Sequence, residues 1–343
     1  MAMLLPGDLV RLGGRYGWWT PLLAAATAVP AAWLAGALGG RVGDSVSAVM
    51  RGFGPAAGRA LLLVEWLALG AYVVVTIREA GEISAVTLVT AHIPVWVLTV
   101  LGALPAAILA WLGPVVLGRA ATLIWPVLVF MYAGVLGAML PSTHIIWALP
   151  LLPRNARFAA WQPVLRTWVW EAEPLFLGAG LMHRVRSAGR RTAGGTLALA
   201  VAVSALLTTV GTWSMVATAG PRGVAVAAFP ALDLVNRIAF GPFVQHLQSV
   251  VLPIETMGTV IKEGVFLWFW ARLGRRLAGG WTGAVLAVET VVGTSLAVAS
   301  FPNLLALDRA THLLLARWAL PLLVGGTLVA YAAALIPRGG RRT

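Results

Sequence analysis

Apolar runs of about 20 residues fill most of this chain, and they constrain its fold more than any other feature. A helix needs about 20 apolar residues to cross a bilayer, and a barrel strand needs only about 10. We count nine such runs, which predicts an all-α polytopic membrane protein with about nine transmembrane helices. The predicted spans are residues 18–38, 60–78, 93–112, 120–140, 163–183, 196–218, 244–270, 282–302 and 316–336.

Composition supports the same class and argues against others. Hydrophobic residues make up 59% of the chain and charged residues 11%, whereas soluble domains carry about 25% charged residues. The net charge of +13 is almost all arginine, because Lys262 is the only lysine. The arginines are spread over many loops, which fits topology control and anionic lipid better than a nucleic-acid surface. The chain has no cysteine, so disulfide and thiolate sites are excluded.

The spans predict a single transmembrane domain over residues 1–343, with no soluble domain. An odd number of spans places the two termini on opposite sides of the membrane. The loops on the same side of the membrane as the C-terminus hold more arginine than the loops on the other side, and they hold a single acid, Asp44. By the positive-inside rule, we expect a multi-pass protein with a cytoplasmic C-terminus and an external N-terminus.

Two glutamates directly before a proline are the strongest functional signal. Glu171, Glu173 and Pro174 lie inside an apolar stretch. A carboxylate at membrane depth usually serves a substrate, an ion or a proton. On an unbroken helix the two acids would point about 200° apart, but Pro174 predicts a break near Trp170 that lets both face one cavity. The alternative is that both acids lie in the outer headgroup layer.

Three further charged residues are candidates for a binding site or an ion pathway. Glu255 follows Pro253, a second predicted helix break, and Lys262 lies seven residues later on the same helix face. These two charges either line one polar pathway, or Lys262 snorkels to the membrane surface together with Glu263. Glu65 lies early in its span and either faces inward or pairs with an arginine.

The remaining polar residues carry weaker signals. Glu289 lies about two turns into its span, where an arginine in a loop is a possible partner. The histidines have no metal-ligand spacing, and no metal or other cofactor is predicted. No Ser-His-Asp constellation is placed on a membrane-facing loop, so we do not expect an enzyme.

Several segments together resemble one protein family. The best of these segments covers residues 229–271 and begins FPALDLVNRI. With TIREAGEI at 76–83 and WEAEPLF at 170–176, it follows the order found in endospore germination permeases. These are the B subunits of nutrient germinant receptors, within the amino acid–polyamine–organocation superfamily. The best-matching positions are Phe229, Pro230, Leu232, Leu234, Arg237 or Asn236, Ile238, Phe243, Leu247 and Lys262.

The resemblance implies a ten-span, LeuT-like inverted-repeat fold, in which the site lies between broken spans one and six. Residues 1–17 resemble a remnant of the first span and its loop. Residues 18–140 then correspond to spans two to five, and residues 163–336 to spans six to ten. The resemblance also places Glu65 on span three and Glu255 on span eight, which flank the site as pseudo-symmetry mates.

The resemblance implies a subunit of a spore nutrient-germinant receptor in the spore inner membrane. It would bind a small nutrient such as an amino acid and signal through an A-type membrane subunit and a C-type lipoprotein. A proton-coupled amino-acid permease is the alternative, with Glu171 or Glu173 carrying the proton, since a carboxylate shielded from water takes up a proton more readily. A truncated subunit that binds nothing is a third reading, suggested by the missing half of the first span.

Overall fold

The computed structural model describes residues 5–42, 45–87, 93–149, 161–171, 173–182, 190–227, 229–237 and 248–335, and no strand occurs among them. The helices, in chain order, are α1 Leu5–Gly13, α2 Thr20–Val42, α3 Ser45–Thr87, α4 Val95–Leu112, α5 Pro114–Met139, α6 Trp161–Glu171, α7 Glu173–Met182, α8 Arg190–Val226, α9 Pro230–Arg237, α10 Gln248–Ala278, α11 Thr282–Ser300, α12 Leu304–Ala310 and α13 Leu320–Leu335. A π-helical segment, Thr311–Ala319, joins α12 to α13.

Among the described residues, seven stretches are long and apolar enough to cross a membrane, which confirms an all-α polytopic membrane protein. They are Leu5–Arg41, Gly52–Val86, Val95–Leu112, Pro114–Ser142, Ala193–Val226, Thr282–Ser300 and Leu304–Leu335. Two of the nine predicted spans are absent from this set. The predicted span at 163–183 includes residues 172 and 183, which lie outside the described residues, so it is described only as the segments α6 and α7. The described part of the predicted span at 244–270 belongs to α10, which carries Glu255, Lys262, Glu263 and several arginines. These two are the spans richest in candidate site residues.

Helices α3 and α10 form the centre of the bundle. The largest cluster of buried side chains joins them to α4, α11 and α13, and α3 is the most buried of the seven apolar stretches. The two helices run antiparallel, since Gly70 of α3 packs on Trp270 of α10 and Ile83 faces Leu252 near the opposite ends of the contact. A second buried cluster joins α2, α7, α8 and α13 around this centre.

The N-terminal helix α1 packs against α6 and α8. Asp8 of α1 lies 3.5 Å from Arg166 of α6. The inverted repeat itself remains a prediction.

Pro253 does not break its helix, which corrects one of the sequence predictions. Helix α10 runs without interruption from Gln248 to Ala278, with Pro253 as its sixth residue. Proline removes one backbone hydrogen bond, and spanning helices tolerate this loss when neighbouring groups compensate. Pro30, Pro105 and Pro126 also lie within continuous helices.

Candidate functional site

The two glutamates lie on either side of residue 172, which is outside the described residues. Helix α6 is described up to Glu171 and α7 from Glu173, with Pro174 as its second residue. The helix break predicted near Trp170 and Pro174 adjoins this gap in the described residues and stays a prediction. Glu171 and Glu173 have different surroundings.

Glu173 is the partner of the only lysine. The Nζ atom of Lys262 lies 2.9 Å from both carboxylate oxygens of Glu173, and the hydroxyl of Tyr72 donates a second hydrogen bond to Oε1. Both charged side chains are mostly buried, at 13% and 22% exposure. The sequence suggests that Lys262 either snorkels to the surface or shares a pathway with Glu255. In the structure its ion-pair partner is Glu173 instead.

Three aromatic rings surround the ammonium of Lys262. The centroids of Tyr72, Trp170 and Phe266 each lie 5.7 Å from Nζ, a distance at which the face of a ring attracts a cation. The rings of Tyr72 and Phe266 also pack together, with centroids 4.4 Å apart. The lysine is therefore held from α3, α6, α7 and α10 at once.

Two more carboxylates complete this group of charges. Glu79 of α3 and Glu263 of α10 are 3% and 2% exposed, and all four of their carboxylate oxygens lack a hydrogen-bond partner among the described residues. Each interacts electrostatically with the other and with Lys262. We call Tyr72, Glu79, Glu173, Lys262 and Glu263 the charge cluster. Three carboxylates and one ammonium share a poorly hydrated space, so a bound cation, a proton or a ligand would relieve their repulsion.

Glu171 is buried but lies apart from the charge cluster. It is 1% exposed, accepts a hydrogen bond from Ser204 of α8, and has an Oε2 atom without a hydrogen-bond partner among the described residues. Glu171 and Glu173 therefore do not contact one common group of partners. Glu171 faces α8, and Glu173 faces α3 and α10.

Glu65 lies two turns along α3 from Tyr72, on the same helix face. It is 2% exposed, and its Oε1 atom lies beside the backbone of Gly326 in α13. No hydrogen-bond partner of Oε1 occurs among the described residues. Glu65 is therefore an inward-facing acid, separated from the charge cluster by about 10 Å along the helix axis.

Glu255 lines a different cavity from the charge cluster. The cavity has a volume of about 210 Å³ and lies between α1, α5, α8, α9 and α10, with Tyr132, Leu207 and Met215 among its mostly apolar walls. A smaller space between α3 and α10 also touches Glu255. Glu255 and Lys262 both lie on α10, as predicted, but the ammonium of Lys262 pairs with Glu173 of α7.

Glu289 hydrogen-bonds to an indole and not to the arginine suggested by the sequence. Trp66 of α3 donates from Nε1 to Oε1 of Glu289, at 2.6 Å. This contact ties α11 to α3 and fits a structural role.

Sequence reasoning missed Tyr72 and Glu79 as candidates. The predicted span ends at residue 78 and leaves Glu79 just outside it, whereas α3 continues to Thr87. The seven-residue spacing of Glu65, Tyr72 and Glu79 places all three on one face, and this period was the signal available in the sequence. No group of three or more metal-ligating side chains occurs in the described part of the chain.

Three positions of the resemblance, Ile238, Phe243 and Leu247, lie outside the residues that the structure describes. The C-terminal residues 336–343, which contribute to the predicted membrane orientation, also lie outside them. The other matching positions are described. Phe229, Leu232 and Leu234 are buried around α9, and Lys262 lies in the charge cluster.

Comparison with known families agrees with the resemblance. A family model described as spore germination protein, the spore permease model, matches residues 2–293. The match includes α1 to α10, and hence α6, α7 and the whole charge cluster, and it ends within α11. No curated protein matches the chain. Because the matched region spans most of the sequence, this membrane protein belongs to the spore germination protein family.

Proposed function

We propose that this chain is the nutrient-binding membrane subunit of a spore germinant receptor, and that its ligand is an amino acid held in the charge cluster. The observation that carries the proposal is the mostly buried ion pair between Glu173, the first described residue of α7, and Lys262. Membership of the spore germination protein family supports the biological role. We do not assign an enzymatic activity to it.

The chemistry of the charge cluster suits a zwitterion. An amino-acid carboxylate would replace Glu173 as the partner of Lys262, and the ligand ammonium would pair with the carboxylate that is released. The exchange leaves the net charge of the site unchanged, so it avoids the large desolvation cost of adding a single charge. The rings of Tyr72, Trp170 and Phe266, which now surround the ammonium of Lys262, would also attract the ammonium of a ligand.

Ligand binding at this position would change the contacts between three helices. The ion pair connects α7 to α10, and the hydroxyl of Tyr72 connects α7 to α3. A ligand that inserts between Glu173 and Lys262 would separate these helices. It would thereby favour whichever pre-existing conformation already has them apart. We propose that an A-type membrane subunit and a C-type lipoprotein receive this change at the spore inner membrane.

A proton-coupled amino-acid permease is the second candidate. The specific observation in its favour is the pair of buried carboxylates, Glu79 and Glu263, without hydrogen-bond partners among the described residues. A carboxylate in this environment is suited to exchange a proton during a transport cycle. Both candidates use the same ligand site and differ in whether the ligand crosses the membrane.

The first test is ligand binding by the full chain purified in detergent. Each of the twenty amino acids is added separately and followed by thermal shift, and any that stabilises the chain is then titrated in radiolabelled form. We expect Glu173→Gln and Lys262→Met to weaken its binding at least about tenfold, since each removes a charge-assisted contact of about 1.5–3 kcal/mol. Glu255→Gln is the matched control, because it neutralises a carboxylate of α10 outside the charge cluster and should leave affinity unchanged.

Uptake by proteoliposomes then separates the two candidates. A receptor subunit should bind the amino acid without accumulating it, whatever the pH gradient. A permease should accumulate it when the outside is acidic, and Glu173→Gln should abolish this uptake. If no amino acid binds the wild-type chain, or if Glu255→Gln weakens binding as much as Glu173→Gln does, the assignment of this site is wrong. Absence of all binding would favour the third reading, a subunit that binds nothing.

A further inference from the structure

A basic pocket lies at the end of the bundle where two helix turns meet. The α4–α5 turn contributes Pro114, and the α10–α11 turn contributes Gly279 and Gly280. The pocket has a volume of about 640 Å³. Its lining is completed by Trp268, Arg272, Arg275, Arg276 and Thr282, and none of the lining residues is acidic.

The arginines are arranged to receive an anion. Arg275 is exposed and donates from Nη1 to the hydroxyl of Thr282, at 3.0 Å, while the guanidinium of Arg272 lies over Trp268, 5.3 Å from its centroid. Arg276 is exposed at the end of α10. The first turn of α11, a helix of 19 residues, opens beside the same space and adds backbone N–H groups. Guanidinium groups are strong, geometrically matched donors to phosphate.

A mostly apolar space adjoins the basic pocket. It has a volume of about 190 Å³ and shares Trp268 and Thr282 with the basic pocket. Its other walls include Trp111 and Trp281, whose rings meet edge to face at 5.1 Å, and Leu286 one turn into α11. The nearest acid along α11, Glu289, is buried and hydrogen-bonded to Trp66, so it does not neutralise the arginines.

We propose that the basic pocket is a binding site for an anionic phospholipid. The phosphate of the headgroup lies among Arg272, Arg275 and Arg276, and one acyl chain lies along the tryptophan-lined space. The α4–α5 turn joins two stretches long and apolar enough to span a membrane, and the α10–α11 turn precedes a third, so we expect the arginines at headgroup depth and the tryptophans at the interface. A free phosphate would use only the arginines, whereas the adjoining apolar space selects a ligand that is both anionic and apolar.

The test is lipid binding to the full chain by native mass spectrometry and by tryptophan fluorescence. The probes are phosphatidylglycerol, phosphatidylcholine as a lipid without net charge, and glycerol 3-phosphate as a headgroup without chains. We expect phosphatidylglycerol to bind at least about tenfold more tightly than phosphatidylcholine, because arginines near the surface attract anionic lipid. Excess glycerol 3-phosphate should displace it only weakly.

Two double variants distinguish lipid binding in this pocket from attraction of lipid by arginines elsewhere on the surface. Arg275→Gln with Arg276→Gln should weaken phosphatidylglycerol binding at least about tenfold. Arg309→Gln with Arg317→Gln removes two exposed arginines elsewhere and should change it less than about twofold. Trp281→Ala should weaken phosphatidylglycerol binding and leave any binding of glycerol 3-phosphate unchanged. Equal binding of the two lipids, equal losses in both double variants, or full competition by glycerol 3-phosphate would overturn the proposal.

Discussion

At the residue scale, the pair of Glu173 and Lys262 is the most consequential contact in the described chain. Each charge is mostly removed from water, so each depends on the other for its stability. Replacing one member leaves a buried charge without a partner, whereas replacing both by neutral groups of similar size removes the problem. The pair therefore contributes mainly to the specific arrangement of α7 against α10, and this arrangement is what a ligand would disturb.

The single variant Lys262→Met should lower the free energy of unfolding by about 3 kcal/mol, because Glu173 is left with only the hydroxyl of Tyr72. The double variant Glu173→Gln with Lys262→Met should recover most of this loss. The measurement is unfolding by sodium dodecyl sulfate in mixed micelles, followed by circular dichroism. A double variant as unstable as the sum of the two single variants would show that the two residues do not act as a pair.

At the scale of the helix, the structure separates prolines that interrupt a helix from those that do not. Pro253 lies within a continuous helix, but each proline that directly follows Gly54, Gly113 or Gly220 marks a change of direction. These three glycines have φ values between 74° and 88°. The dipeptide Gly-Pro was therefore a better sequence signal for a break than proline alone, because glycine supplies a conformation that other residues rarely adopt.

Gly54→Ala should destabilise the protein by about 1–3 kcal/mol through backbone strain alone. Gly54 has φ 79° and ψ −179°, and an added Cβ atom would meet no other atom within 4 Å. Gly134→Ala is the matched control, since Gly134 lies within α5 and has equally open surroundings. It should be neutral or slightly stabilising, because alanine is the better helix former. Equal melting temperatures for the two variants would contradict the strain argument.

At the scale of the whole molecule, contacts between distant segments support nine membrane crossings. The guanidinium of Arg15 reaches the carbonyl of Leu149 at 3.0 Å, and that of Arg11 reaches the carbonyl of Ala225 at 2.8 Å, so these segments share one face. Trp111 and Trp281 meet at another end of the bundle. On this arrangement α6 with α7 crosses once, and α10 crosses once. The count of nine and the cytoplasmic C-terminus remain predictions.

Labelling of single cysteines tests this topology directly, because the chain contains no native cysteine. Ser142→Cys and Ala278→Cys place thiols at exposed positions beyond α5 and at the end of α10. In intact cells we expect a membrane-impermeant maleimide to label Ser142→Cys only, and to label both after lysis. Labelling of both variants in intact cells would reduce the number of crossings between them by one, and labelling of Ala278→Cys alone would reverse the orientation.

The sequence by itself determined the membrane class and the approximate position of most helices. Hydrophobic length is a local property, so it can be read without knowing which helices pack against one another. It also pointed to Glu171, Glu173 and Lys262, because charges are rare in apolar spans.

Only the tertiary structure decided which of these charges meet. It joined Glu173 to Lys262, directed Glu171 toward Ser204, brought Glu79 and Glu263 into the charge cluster, and left Glu255 beside an apolar cavity. The partners of Glu173 come from α3 and α10, 101 and 89 residues away along the chain. Such pairings depend on how the helices rotate and register against one another, and the hydrophobic pattern of a spanning helix is too uniform to fix that rotation.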